Sequence, residues 1–122
     1  MFRFTNTATA PFLARVKQAH GRLPQAEHKA QLAGISHLHT MASDAVASTG
    51  NDPSPLAVTW HEGQAHIVIE HGLAGDKMFD EEFGHPEIEE GMPHPVIRTA
   101  MNDARPQARA IYMETLRSEM GV

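Results

Sequence analysis

The segment from Ser48 to Pro55 constrains this chain most, because its sequence is Ser-Thr-Gly-Asn-Asp-Pro-Ser-Pro and nearly every residue in it favours a turn. Upstream of it the sequence is rich in Ala, Gln, His and Leu and shows no strand pattern. Immediately downstream, apolar and polar residues begin to alternate. The chain therefore divides into a helical first part and a second part that opens with β-structure.

The first part predicts one long helix over residues 24–48. Pro24 suits the first helical position, where its missing N–H has no intrahelical partner in any case. Apolar residues then recur at three- and four-residue steps and form a narrow stripe that Gly34 weakens. The members of this stripe are Ala26, Ala30, Leu32 or Ala33, Leu38, Met41, Ala45, and Val46 or Ala47. Residues 1–22 are expected to form an arm or to include a short helix over residues 10–19.

A β-hairpin is the clearest prediction for the second part. Residues 56–60 alternate with a period of two, and residues 65–70 are mostly β-branched and apolar. Glu62-Gly63 between them suits a tight turn. A short strand over residues 78–83 is expected to follow, so that hairpin and strand together occupy residues 56–84.

The C-terminal region, residues 95–120, has apolar residues at helical spacing and predicts helices. Pro106 lies inside this pattern. Because an interior proline removes a hydrogen bond and clashes with the preceding turn, we expect one helix to end near Asp103 and a second to run from Pro106 to about Met120.

These elements predict a single α+β domain over residues 1–122, with a long N-terminal helix and C-terminal helices packed on a small, mainly antiparallel sheet. A chain of 122 residues can support one modest hydrophobic core. Trp60 and Tyr112, each the only residue of its kind, are expected to pack in that core between the hairpin and the last helix.

The composition excludes several classes of function. The formal net charge is −5 and no run of Lys and Arg occurs, which argues against free nucleic-acid binding. The chain has no cysteine, so it cannot form a disulfide or a thiolate site. Its apolar runs are too short to span a bilayer, and its first residues lack the apolar run of a signal peptide. We therefore expect an intracellular product with no membrane partner.

Nine histidines raise the question of a metal site. The sharpest combinations are His37 and His39 with His28, or His61-Glu62 with His66 and His71. On a helix, however, side chains two positions apart point about 200° away from each other, and no His-Glu-x-x-His pattern is present. No phosphate-cradling loop, dinucleotide fingerprint or nucleophile turn is present either. The sequence therefore predicts a protein that is not an enzyme, with no metal site and no cofactor.

Six carboxylates lie within eleven residues: Asp80, Glu81, Glu82, Glu87, Glu89 and Glu90. Paired carboxylates can serve acid–base chemistry, and oxygen-rich loops can hold calcium, but the spacing here lacks the calcium-loop pattern. A solvated acidic face is the simplest interpretation of this cluster.

Three short motifs stand in a fixed order around this cluster. The first is the turn from Ala47 to Pro53, and the second is Glu82-Phe83-Gly84. The third, Pro95-Val96-Ile97-Arg98-Thr99-Ala100, opens the C-terminal helical region. Arg98 lies one turn into that helix, where it could pair with Glu82 or Glu81, and an ordinary surface salt bridge there would contribute about 0–1 kcal/mol.

In their order and spacing these features resemble the small tail-completion or head–tail joining proteins of lambda-like, long-tailed bacteriophages, over residues 24–120. Two positions depart from that pattern: the loop at residues 76–78, and Thr99 where a proline is common. The resemblance implies a structural subunit of the virion that forms a ring, commonly a hexamer, in the neck or at the head-proximal end of the tail. The competing interpretation is a small acidic regulatory module that masks a protein partner.

The resemblance also implies site residues. The expected assembly interface comprises Phe79, Glu82, Phe83, Gly84, Pro93, Pro95 and Arg98. The expected lumen-facing acids are Asp80, Glu81, Glu87, Glu89 and Glu90, which would let DNA pass without specific binding because like charges repel phosphates. The implied partners are other copies of the chain and neighbouring neck or tail proteins.

Replacing the five acids that are expected to face the lumen by Gln tests this lumen hypothesis. We expect slower DNA passage and reduced infectivity, because the neutral lumen would no longer repel phosphates. Phage particles assembled with the variant would be compared with wild-type particles in a DNA-ejection and plaque assay. Unchanged passage and infectivity would count strongly against the hypothesis.

Overall fold

The structure is a computed structural model that describes residues 9–84 and 93–121, with side chains from residue 13 onward. Its elements in chain order are α1 (Thr9–Ser48), β1 (Leu56–His61), β2 (Gln64–Ile69), α2 (Leu73–Phe83) and α3 (Val96–Met120). The predicted α+β class is confirmed, because a long N-terminal helix and two later helices pack with a small antiparallel sheet.

Helix α1 is continuous from Thr9 to Ser48, so the prediction of a break between residues 19 and 24 is wrong. Pro24 lies inside the helix rather than at its start. Both Pro24 and His20, whose carbonyl loses its helical partner to the proline, are exposed. Water can therefore hydrate that carbonyl, and the helix tolerates the missing hydrogen bond.

Helix α3 likewise continues through Pro106, and the expected division into two helices is wrong. Pro106 and Asn102, one turn before it, are both exposed. The same hydration of a free carbonyl accounts for the uninterrupted helix. Gly121 ends α3 in the left-handed conformation, with its N–H directed at carbonyls of the last turn.

Helices α1 and α3 pack antiparallel through small residues. Lys29 pairs with Glu119 at 3.1 Å near one end, and His37 Nε2 lies 3.0 Å from Gln107 Oε1 further along. Gly34 lies between these contacts, where a Cβ atom would stand 3.2 Å from the carbonyl oxygen of Ala108. Gly34 thus allows two backbones to approach closely, and it strengthens the stripe that it was expected to weaken. The buried residues of this interface include Ala26, Ala30, Gly34, Ala104 and Ala108.

Two residues that the sequence assigned to the stripe of α1 are instead exposed. Leu32 is 45 % exposed and Met41 is 38 % exposed. Buried or half-buried residues recur every four positions, with Leu38 half-buried and the others buried: Ala26, Ala30, Gly34, Leu38, Ala42 and Val46. At this interface a small side chain is therefore a better indicator of a buried position than a hydrophobic one.

The hairpin matches its prediction. β1 and β2 are antiparallel, with Leu56 opposite Ile69 and His61 opposite Gln64. Glu62 and Gly63 form the two-residue turn and both have positive φ, 51° and 77°, which is typical of a type I′ turn.

Side chains of α1 hold both ends of the hairpin. Gln31 donates to the Gly63 carbonyl and accepts from the Ala65 N–H, at 3.3 and 3.2 Å. His39 Nε2 lies 2.9 Å from the Leu56 carbonyl oxygen, which can only accept, so this nitrogen carries the proton. The sheet is therefore fixed in position along the helix.

Trp60 does not lie in the core between the hairpin and the last helix, and that prediction is wrong. Its ring stacks on His28 of α1, with centroids 4.2 Å apart, and remains 38 % exposed. Tyr112 of α3 is half-buried beside Gly34 of α1. The hairpin is narrow and lies on α1, so Trp60 near its tip reaches only the helix surface.

Helix α2 replaces the strand that was predicted over residues 78–83. Its buried residues, Gly75, Met78 and Glu82, are spaced by three and four positions, which is a helical period. A Cβ atom on Gly75 would overlap the carbonyl oxygen of Glu70, so α2 crosses directly over the end of β2. The strand prediction failed because so short an apolar pattern does not distinguish the period of a strand from that of a helix.

The largest buried side chains meet at the carboxyl end of α1. Val46 packs there with Leu56, Met78 and Ile97, and the half-buried Ile67, Ile69 and Met101 surround them. All five elements contribute to this cluster. It positions the junction of α2 and α3, where most of the predicted site residues lie.

Replacing Gly75 by Ala tests the close crossing of α2 over β2. We expect the free energy of unfolding to fall by about 2 kcal/mol or more, because the added methyl group would force the backbone of α2 away from the carbonyl of Glu70. Gly21→Ala is the matched control, since nothing lies within 4 Å of its new methyl group. It should raise the helix content or leave stability unchanged. Urea denaturation followed by circular dichroism measures both, and equal stability of the two variants would contradict the crossing.

Candidate functional site

Glu82 is the centre of the candidate site. It lies on α2 and is only 2 % exposed. Its Oε1 accepts the backbone N–H of Ile97 at 2.8 Å, and its Oε2 accepts the N–H of Arg98 at 2.9 Å. Arg98 Nε donates to the same Oε2 at 2.8 Å. Of the two carboxylates expected to pair with Arg98, the structure therefore selects Glu82.

This carboxylate acts as a cap for α3. The first N–H groups of a helix have no intrahelical partner and carry the positive end of its dipole. Pro95, the residue before α3, provides no side-chain hydrogen bond. Glu82 supplies the missing acceptor from another helix, 15 residues from Ile97 in the sequence. The pairing is thus more than a surface salt bridge.

Arg98 connects this buried carboxylate to the surface. Its Nη2 donates to the backbone carbonyl of Glu82 at 2.6 Å, and its guanidinium carbon lies 4.7 Å from the centre of the Phe83 ring. The Phe83 ring in turn lies 4.7 Å from the Phe79 ring, at an angle of 40°. The side chain of Arg98 is 49 % exposed. Buried and exposed parts of the site therefore form one connected set of contacts.

Gly84 ends α2 with a φ of 82°, in the region that favours glycine, and its N–H donates to the Asp80 carbonyl at 2.7 Å. His94 N–H donates to the Glu81 carbonyl at 2.7 Å and brings the chain back to α2. Pro93 and Pro95 on either side of His94 are exposed. All seven residues predicted for the interface thus lie within the described residues, at or beside the α2–α3 junction.

The outer side of α2 carries an exposed apolar and acidic surface, which we name the α2 face. Phe79 is 52 % exposed, Phe83 is 48 % exposed, and Leu73 is 93 % exposed. Helical spacing places Asp76 and Asp80 beside them on the same side of the helix. Leu73 could not be assigned to this surface from the sequence, because the element predicted to follow the hairpin was a strand over residues 78–83. Only a helical assignment of residues 73–83 would have placed it there.

The acidic cluster does not form one solvated face. Glu82 is buried, so the expectation of solvation is wrong for that residue. Glu81 is half-buried and accepts a hydrogen bond from Asn51 Nδ2 at 3.2 Å, whereas Asp80 is exposed on the α2 face. Glu87, Glu89 and Glu90 lie outside the described residues.

A cleft of about 260 Å³ lies beside Glu82, between the end of α1 and the α2–α3 junction. Its carboxylates are already engaged by donors of the protein itself. Asp52 accepts from the Ser54 hydroxyl and N–H, which lowers its pKa, and Glu81 and Glu82 have the donors described above. These groups therefore hold the loop and the helix start in position, and we assign the cleft no reaction.

The histidines singled out in the sequence point to different elements. His37 lies against Gln107 of α3, whereas His39 donates to the hairpin. Within residues 9–84 and 93–121 no three His, Asp or Glu side chains converge as metal ligands. None of the helices in this part of the chain combines the length and hydropathy needed to cross a membrane.

Neither a protein-family model, nor a curated protein, nor a solved structure matches this chain. Its functional assignment therefore depends on the contacts of its own residues. The strongest of these contacts are those that join Glu82, Arg98 and the aromatic pair.

Glu82→Gln tests the capping role. The amide keeps one acceptor oxygen, but its NH2 group replaces the second oxygen and faces donors of the protein instead of accepting from them. We therefore expect a loss of about 2–4 kcal/mol in the free energy of unfolding. The matched control is Glu81→Gln, which removes the same charge from the neighbouring, half-buried residue. We expect it to cost less than about 1 kcal/mol. Urea unfolding measures both, and a Glu82→Gln protein as stable as the control would exclude the capping role.

Proposed function

We propose that this chain is a structural virion subunit that assembles with copies of itself into a ring, in the neck or at the head-proximal end of a phage tail. The observation that carries the proposal is the contact between two of the resembling motifs. Glu82-Phe83-Gly84 and the Pro-x-x-Arg helix start belong to two different helices and meet through the buried Glu82 and its partner Arg98. This meeting anchors an exposed aromatic surface, which supports the proposal.

The α2 face has the properties of a protein–protein contact. Aromatic residues and Arg dominate the energetics of such contacts, and here Phe79, Phe83 and Arg98 lie side by side. Because Glu82 and the helix cap hold Arg98 and Phe83 in place, little side-chain freedom remains to be lost on binding. A preorganised aromatic surface of this kind supports an assembly role.

A ring is built from head-to-tail contacts between two different surfaces of each subunit. The resemblance suggests six copies, with neighbouring neck or tail proteins above and below the ring. In this proposal DNA passes through the lumen without specific binding, which the formal net charge of −5 favours. The proposal assigns the chain no catalytic residue, metal or cofactor.

The second candidate is a regulatory module that masks a protein partner. The acidic residues Asp76 and Asp80 beside the exposed phenylalanines favour it, because such a surface would also fit a basic partner of a different kind. The two candidates differ in what the pure protein does. A ring subunit associates with itself, whereas a masking module stays monomeric until its partner is added.

Native mass spectrometry and sedimentation velocity of the pure chain test the ring proposal. We expect about six copies in the assembled species. Phe83→Ser should shift the distribution toward monomer, because it removes a central aromatic contact. Met113→Ser on α3 is the matched control, since Met113 is 41 % exposed and lies outside the α2 face. It should leave the assembly unchanged.

A chain that is monomeric at all concentrations, or whose assembly responds equally to both substitutions, would overturn the proposal. A monomer that forms a one-to-one complex with a basic protein would support the masking module instead.

A further inference from the structure

The amino-terminal part of α1, residues 9–25, extends beyond the elements that cover the rest of the helix, and we name it the arm. No residue from 13 to 25 is buried, whereas Ala26 and Ala30 are almost fully buried. The last turn of α3 meets α1 at the Lys29–Glu119 pair. The arm therefore continues past the end of α3 for about 25 Å.

The arm carries an apolar stripe whose cover decreases toward its amino-terminal end, because Leu23 and Ala19 are half-buried whereas Val16 is exposed. Val16, Ala19 and Leu23 follow three- and four-residue steps that lead directly into Ala26 and Ala30, the residues that pack near α3. Val16 is 47 % exposed, and Leu13 nearby is 54 % exposed. A helix surface that is buried in one half of α1 thus continues into the other half with only partial cover.

The charge of the arm is opposite to that of the remaining chain. Every acidic residue lies at or after Glu27, so residues 27–122 carry 15 acids against six Lys and Arg, a net charge of −9. The arm contains Arg15, Lys17 and Arg22 and no acid. Arg15 and Arg22 are two helical turns apart and border the apolar stripe, whereas Lys17 lies on the other side of the helix.

The α2 face has the complementary character. It presents the exposed Phe79, Phe83 and Leu73 beside the exposed carboxylates Asp76 and Asp80. The apolar stripe bordered by arginines is therefore complementary, in charge and hydrophobicity, to the apolar surface bordered by aspartates. Both surfaces belong to the same chain.

The two surfaces cannot meet within one subunit. Helix α2 packs at the Val46 end of α1, and Met78 of α2 contacts the cluster there. The arm lies at the opposite end of the same continuous helix, and the 24 residues from Arg22 to Val46 correspond to about 36 Å. Contact between the two surfaces therefore requires a second copy.

We propose that the arm of one subunit docks on the α2 face of a neighbouring copy, as the repeated head-to-tail contact of the assembly. This inference deepens the ring proposal and rests on it. Two arms would not pair with each other, because Arg15 and Arg22 of one arm would face the same positive charges on the other. A contact between two different surfaces leads to a ring or a filament, not to a closed dimer. It also places Asp80 at a subunit contact rather than in the lumen.

Charge exchange on the full-length chain tests the contact. One variant carries Arg15→Glu and Arg22→Glu, a second carries Asp76→Lys and Asp80→Lys, and a third combines all four changes. Each of the first two should raise the apparent dissociation constant of self-association about tenfold or more, because like charges then meet at the contact. The third variant, and an equimolar mixture of the first two, should assemble again because opposite charges are restored. Lys17→Glu is the matched control and should assemble like wild type.

Sedimentation velocity and native mass spectrometry provide the readout, and circular dichroism checks that each variant folds. Wild-type assembly should also weaken between about 0.05 and 0.5 M salt, because exposed charges are screened. A monomeric wild-type chain would overturn both the ring and this contact. An assembled wild type whose mass is unaffected by either double substitution, or a four-fold variant that fails to assemble although it folds, would overturn the contact alone and leave the ring standing.

Discussion

The carboxylate of Glu82 at the start of α3 is the interaction on which the arrangement of the site depends. A buried negative charge is costly unless donors surround it, and here two backbone N–H groups and a guanidinium do so. In return, the carboxylate fixes where α3 begins relative to α2. The two helices share few other contacts, so without this cap their relative position would depend mainly on Met78 and Ile97 in the small core.

The same interaction determines what the surface presents. Arg98 is held at its Nε by the carboxylate and at its Nη2 by a backbone carbonyl, and its guanidinium carbon lies 4.7 Å from the centre of the Phe83 ring. The Phe83 ring in turn contacts the Phe79 ring, so the aromatic pair is linked to the buried carboxylate through Arg98. Burial of one acid thus gives a hydrophobic surface its shape.

Much of the fold was predictable from local signals. The Glu62-Gly63 turn and the flanking alternation predicted the hairpin, and the breakers at residues 48–55 predicted the end of α1. The two errors at prolines depend on solvent exposure. Pro24 was expected to begin a helix and Pro106 to divide one, yet both lie inside helices, on exposed sides where a free carbonyl can be hydrated. Gly34 seemed a weak point until the close approach of α3 was known. For the site, the Glu82–Arg98 pairing was predictable as one of two options, but its burial was not, since burial depends on how α2 and α3 pack.

The antiparallel pairing of α1 with α3 has a consequence for how the chain reaches its native state. Residues near position 30 contact residues near position 115, so the interface joins parts of the chain that are separated by every other element. The small-residue side of α1 remains uncovered until α3 has been synthesised. Contacts of such long sequence separation form late and leave apolar surface exposed in the meantime. A stripe of Ala and Gly exposes less apolar surface than one of Leu and Ile. The chain is therefore less prone to aggregation before α3 packs on α1.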